Sequence, residues 1–156
     1  MSRHQALLEE FSTYARSAPN TTALMTHISQ RLHDQLARYN WVGFYLVDQA
    51  DPGMLVVGAY VGSFTPHERI PINKGLCGAA ATMRRTVVAN DVAKDPRYLA
   101  GSEIVKATMI VPIFAKRELV GELDIESYFT ETFTPAEQNF VEAVAALVGK
   151  FLETHR

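Results

Sequence analysis

Leu119-Val120-Gly121-Glu122-Leu123-Asp124-Ile125-Glu126-Ser127 decides the fold class. Leu119, Leu123 and Ile125 face one way, while Glu122, Asp124 and Glu126 face the other. A period of two belongs to a strand, and this apolar/polar alternation suits an antiparallel sheet with one face on a core. The preceding segment, Thr108 to Ala115, joins it across Lys116-Arg117 and reads as its hairpin partner. The three acids lie on one face ~7 Å apart, so they repel unless something positive sits among them. Two readings stay open. The face is washed by solvent, the ordinary explanation of such alternation, or it is a wall that grips an ammonium group or supplies a general acid inside a pocket.

Working outward, Trp41-Val42-Gly43-Phe44-Tyr45-Leu46-Val47 is apolar on both faces and predicts a strand buried on both sides. Alternation puts Trp41, Gly43 and Tyr45 on one face, and Val42, Phe44 and Leu46 on the other. A turn over 49–53 leads to a hairpin partner at 54–60. Two helices precede these strands. Leu7, Leu8, Phe11, Tyr14 and Ala15 mark the first, and Leu24, Ile28, Leu32 and Leu36 the second, with Pro19-Asn20-Thr21-Thr22 between them. Residues 62–73 read as loop, broken by Pro66, Pro71 and Asn73. A short helix follows over 79–84, then a strand at 86–89 and a polar loop over 90–101 with at most one helical turn. The last helix opens on Thr134 as N-cap, Pro135 at N1 and Glu137 at N3. Its apolar residues cover more than one narrow stripe, enough to bury against the sheet and a further helix, its own or a second subunit's.

This order predicts an α+β fold: a largely antiparallel sheet, terminal helices on one face, and a long mid-chain excursion on the other. The excursion would roof a pocket over the sheet, the expected place for a small ligand. It contains Lys74-Gly75-Leu76-Cys77-Gly78, where the chain's only cysteine sits between glycines as either a reactive thiol or a small buried hydrophobe. An aromatic wall of Trp41 and Tyr45 opposite carboxylates would suit a ligand with a cationic head and an apolar tail. Plain core packing is the other use of such aromatics.

Composition excludes several classes. The 156 residues are 47% hydrophobic and fit one domain. A net charge of −2 without a Lys/Arg cluster leaves no footprint for nucleic acid. One cysteine permits no internal disulfide. Neither a signal-peptide pattern nor an apolar run of membrane-spanning length is present, so a cytoplasmic protein without membrane partners is expected. His67, near Cys77 in sequence, could activate a thiolate or simply sit exposed in its loop. Five scattered histidines and one cysteine lack zinc-site spacing, and Asn73-Lys74-Gly75 lacks that of a P-loop. No metal and no cofactor are expected.

Three stretches resemble the GAF-domain free methionine-(R)-sulfoxide reductases: Asn40-Trp41-Val42-Gly43-Phe44-Tyr45-Leu46, Gly75-Leu76-Cys77-Gly78, and Gly121-Glu122-Leu123-Asp124-Ile125-Glu126-Ser127. The resemblance spans roughly residues 20 to 155 and implies a single domain over 1–156. It implies a six-stranded antiparallel sheet with the N- and C-terminal helices on one face, and a pocket roofed by loops and a short helix on the other. A homodimer through the terminal helices, including residues 1–19, is implied too. So is a closed pocket for a small amine or free amino acid, with Trp41 and Tyr45 at its sulfur end and acids on its ammonium. Residue by residue, the family's nucleophilic cysteine falls on Gly101, which has no side chain, and another family cysteine on His67. Cys77 matches a position that resolves the oxidised nucleophile. Aligned on Pro112, a binding glutamate becomes Thr108. Asp124 is kept, and Glu126 replaces an aspartate. The resulting expectation is a GAF-type small-molecule-binding domain that has lost catalysis, with ligand contacts from Trp41, Tyr45, Thr108, Asp124, Glu126 and Gly101. The alternatives are a reductase acting through Cys77 and a ligand-free dimeric interaction module.

Overall fold

Local signals start each helix of the sheet-covering layer. The Ser2 hydroxyl accepts from Gln5 N–H while Gln5 Oε1 accepts from Ser2 N–H, a reciprocal capping box that opens α1 (Arg3–Ala15). Asn20 Oδ1 accepts from Ala23 N–H at 2.8 Å and opens α2 (Thr21–Gln35). The computed structural model describes residues 1–98 and 102–156. After α2 come β1 (Trp41–Val47), β2 (Met54–Gly62), β3 (Arg69–Pro71), α3 (Gly75–Met83) and β4 (Val87–Ala89). A single 3-10 turn (Val92–Lys94), β5 (Ala107–Ala115), β6 (Glu118–Ser127) and α4 (Pro135–His155) complete the chain.

The strands form one six-stranded sheet in the order β3-β2-β1-β6-β5-β4, antiparallel at every pairing. The expected α+β architecture is therefore the observed one. The β5–β6 hairpin turns at Lys116 and Arg117, which both take positive φ (51° and 70°), as a two-residue turn matched to strand twist requires. Helices α1, α2 and α4 bury one face of the sheet. Val42, Phe44, Met109, Val111, Ile113, Leu123 and Ile125 pack there against Leu24, Ile28, Leu32, Val141, Val144 and Val148. The surplus apolar residues of α4 are absorbed within the chain, because α1 and α2 lie against it as well as the sheet.

Two local differences from the sequence reading have physical reasons. The segment read as loop over 62–73 contains β3, whose three residues alternate exposed, buried and exposed around Ile70. A strand this short between prolines carries too little periodicity to show. Helix α3 begins at Gly75, ahead of the alanines that suggest it. Gly75 takes φ 66°, where a side chain would be strained. A Cβ on Gly78 would lie 2.6 Å from the Asn73 carbonyl carbon, so the chain before the helix can fold back onto it only there.

Candidate functional site

On the face away from the long helices, register builds a floor three residues wide. Tyr45, Glu122 and Pro112 stand in one row, Gly43, Asp124 and Ile110 in the next, and Trp41, Glu126 and Thr108 in the third. Helix α3 and the loops on either side cover this floor. The covered face is a second core, in which Trp41, Tyr45, Leu55, Ile70, Leu76, Cys77 and Ile110 are buried together. A small cavity remains beneath the cover, with about 40 Å³ open to the centre of a water-sized sphere. Tyr45, Cys77, Thr108, Asp124 and Glu126 line it, with Phe64, His67, Lys74, Leu76, Tyr98 and Ile110 among their neighbours.

The acids of β6 are not washed by solvent. Glu122, Asp124 and Glu126 are 0%, 5% and 7% exposed, which decides for the pocket wall over the solvated face. Burial of a carboxylate favours its protonated form. Burial pushes Asp124 well up, and the charges of Glu126 and Glu122 add to the shift. Glu126 is pushed up to about 7 by burial, partly offset by the Thr108 hydroxyl, which donates to Glu126 Oε1 at 3.2 Å. Burial also raises Glu122, against a smaller opposing effect of the Cys77 thiol beside it. Both Glu122 oxygens and Asp124 Oδ1 are buried without a well-formed hydrogen bond. A buried carboxyl left in this condition costs several kcal/mol unless it is neutral or meets a cation.

Cys77 lies in the first turn of α3, 7% exposed. A helix N-terminus ordinarily favours a thiolate. Here burial outweighs that and pushes the thiol up, and the charges of Glu122, Asp124 and Glu126 push it further. No side chain caps α3, because Lys74 at the N-cap makes no such bond, and Lys74, Gly75, Leu76 and Cys77 all line the cavity. An acidic wall therefore faces a helix N-terminus and a lysine across one small space.

The structure brings Tyr45, Thr108, Asp124, Glu126 and Cys77 together as the sequence reading expects. Tyr45 points its hydroxyl at the His67 carbonyl oxygen, 3.2 Å away, pinning the loop that carries His67 to the rim. Trp41 stands on the expected face but is wholly covered. It lies stacked between Tyr60 and Phe64, each 5.5 Å away, and donates from Nε1 to the Phe64 carbonyl. Its ring fits because Gly43 and Gly62 leave room, a Cβ on either falling within 2.4 Å of it. Phe64 is the aromatic that reaches the cavity, with Trp41 behind it. Gly101 lies outside the described residues. Sequence reasoning misses Phe64, Lys74 and Ile110. Ile110 can be found by pairing β5 with β6 across Lys116-Arg117, whereas the other two sit on irregular chain that periodicity does not reach.

Among the described residues no group of three His, Cys, Asp or Glu could hold a metal ion, and no helix is long and apolar enough to cross a membrane.

Comparison with known proteins corrects the expectation of lost catalysis. The free methionine-R-sulfoxide reductase of Saccharomyces cerevisiae is 30% identical over 132 residues, covering 84% of this chain and 71% of that protein. The X-ray structure of free methionine-R-sulfoxide reductase from Neisseria meningitidis in complex with its substrate superimposes with a TM-score of 0.90 at 27% identity, over 96% of this chain and 88% of that one. The structure of fRMsr of Staphylococcus aureus in complex with substrate gives 0.87 at 31% identity, over 97% of both chains. Relatives named as reductases, two of them with substrate bound, point to an enzyme and not to a silent binding domain. Residues 20–152 match the GAF domain, and the chain belongs to that family, with its similarity directed at the free methionine-R-sulfoxide reductases.

Proposed function

We propose that this protein reduces a free methionine-type sulfoxide, with Cys77 as its thiol and a small external thiol as reductant. One observation carries the reading: the chain's single cysteine lines the same small cavity as the buried carboxyls of Asp124 and Glu126. The chain has one cysteine, so the thiol chemistry falls to Cys77.

The substrate's ammonium would meet Asp124 and Glu126, restoring both to carboxylates. Its carboxylate would take the first-turn N–H groups of α3 and Lys74, and its S-methyl end the apolar surface of Phe64 and Ile110. In the first step the sulfoxide oxygen passes to the Cys77 sulfur. The S–O bond of the substrate breaks, its sulfur gains two electrons, and Cys77 becomes a sulfenic acid while the thioether leaves. An external thiol then condenses with the sulfenic acid, releasing water and forming a mixed disulfide. A second external thiol displaces Cys77 and carries off the disulfide.

The test is turnover of free methionine-(R)-sulfoxide with dithiothreitol by the wild type and by Cys77→Ser. Methionine should form with the wild type and not with the variant. Turnover that survives Cys77→Ser, or a wild type that yields no methionine, overturns the reading.

A further inference from the structure

The substrate clamp and thiol described above leave Glu122 without a task, although it is the most deeply buried acid in the molecule. Its side chain is 0% exposed and both of its oxygens lack a well-formed hydrogen bond. It stands on the cavity-side face of β6, in the row with Tyr45 and Pro112. It does not line the cavity itself. Instead it lies beneath α3, near enough to the Cys77 thiol that each group shifts the other's proton affinity. A fully buried glutamate is rarely kept without a partner, since apolar packing at the same position would be less costly.

Building on the reductase reading, we infer that Glu122 is the proton-transfer partner of Cys77, a buried carboxyl–thiol pair that carries the proton of sulfoxide reduction. The reaction needs a proton delivered to the sulfoxide oxygen and one removed from the thiol. A carboxylic acid beside the thiol does both. Glu122 gives its proton to the Cys77 sulfur as the thiol, which lines the cavity, gives its own to the sulfoxide oxygen and makes the substrate sulfur electrophilic. The resulting carboxylate takes the Cys77 proton as the thiol becomes a sulfenic acid. The sulfoxide S–O bond breaks, an S–O bond to Cys77 forms, two electrons move from the cysteine sulfur to the substrate sulfur, and Glu122 ends protonated. Protons and electrons both balance with no further reactant at this step.

This partnership fixes an unusual pH dependence. Thiol reactions ordinarily accelerate as pH rises, because the thiolate is the nucleophile. A step that needs Glu122 protonated slows as pH rises through its titration. Other titratable groups face the pair: Tyr45 from β1, Asp124 and Glu126 from β6, and Lys74 and His67 at the rim. Asp124 and Glu126 act on substrate binding, so the rate at saturating substrate isolates Glu122.

The experiment has two readouts. Single-turnover formation of methionine by the reduced protein, without added thiol and at saturating methionine-(R)-sulfoxide, is followed against pH for wild type, Glu122→Gln and Glu122→Asp. The wild-type rate should fall with rising pH. Glu122→Gln should be roughly a hundredfold slower or more, in the range of general acid–base effects, and should rise with pH. Glu122→Asp should recover part of the rate and the falling profile. Alkylation of Cys77 by iodoacetamide, with no substrate present, is followed in parallel. Its midpoint should move to lower pH in Glu122→Gln, because a negative neighbour is gone. Easier alkylation with slower reduction is a result that a merely structural glutamate does not give. A wild-type rate that rises with pH, or a Glu122→Gln rate equal to the wild type's, overturns the relay. An alkylation midpoint that stays put overturns the partnership itself. A wild type that forms no methionine overturns the reductase reading and the relay step with it, while the alkylation curves still report whether the two groups are coupled. Should Glu122→Gln not fold, the wild-type profile and Glu122→Asp decide.

Discussion

On β1, β5 and β6, Val42, Phe44, Met109, Val111, Leu123 and Ile125 pack under the long helices, while alternate residues Tyr45, Thr108, Glu122, Asp124 and Glu126 lie under α3. Both sets are buried, and the same strands carry them. On the helix side these sheet residues are all apolar, and burial stabilises at about 25 cal/mol per Å². On the α3 side the strands hold three acids away from water, which destabilises. The fold bears this because the helix-side core supports the same strands. The difference teaches where to look for function in such a sheet: on the buried face that carries unsatisfied carboxyls.

The comparison can be broken most severely from the helix side. Phe44 is 0% exposed among α-helical and sheet neighbours. Phe44→Ala should cost about 3–5 kcal/mol, read as a lower urea midpoint at unchanged slope. A loss under about 1 kcal/mol would mean that this face is not the stabilising one.

Much of this contrast is legible in the sequence. The alternation at 119–127 and the doubly apolar strand at 41–47 predict the sheet, and the α3-side face follows from counting parity. Which face of β6 is buried cannot be read, because a row of acids looks the same whether water or α3 covers it. Parity puts Trp41 on the cavity side of the sheet but one layer too near the cavity. Its depth depends on Phe64, which lies in loop and reaches over it by a path that no periodicity encodes. Cys77 looks spent when judged from the positions of cysteines that the chain lacks. Its setting beside three buried carboxyls depends on long-range pairing between α3 and β6, which sequence spacing does not carry.

A second prediction sharpens the comparison through pH. Glu126 moves from an ordinary 4.5 to about 7 on folding. The folded chain therefore holds a proton that the unfolded chain has lost between these values, and stability falls as pH rises through that window. Its share is about 3 kcal/mol, since each tenfold gain in proton affinity is worth roughly 1.4 kcal/mol. Asp124 and Glu122 are raised too and act in the same direction. Glu10, Asp48 and Asp95 are lowered by their partners and act in the opposite direction, but their effect is confined to the acid end of this window. Thermal unfolding followed between the two values should show the decline, and Glu126→Gln should flatten it. Free methionine sulfoxide should flatten it as well, since its ammonium restores the carboxylates. A wild-type curve that rises over this interval would place the acids in water after all.

The smallest effect tests a single bond. The Thr108 hydroxyl holds Glu126 below the value that burial alone would give. Thr108→Val keeps the shape and removes only the donor. At a pH where Glu126 is ionised this should cost about 1.5–3 kcal/mol, the range for hydrogen bonds to charged groups. At the acid end of the window, where the carboxyl is protonated, the cost should shrink, because a neutral acid accepts more weakly. The upper end of the stability decline should move to higher pH, as Glu126 then gives up its proton later. The same substitution tested on a helix-side residue would move the whole curve down without tilting it. A Thr108→Val curve parallel to the wild type's would therefore show that Thr108 only packs, and that the two faces of the sheet differ less than their chemistry implies.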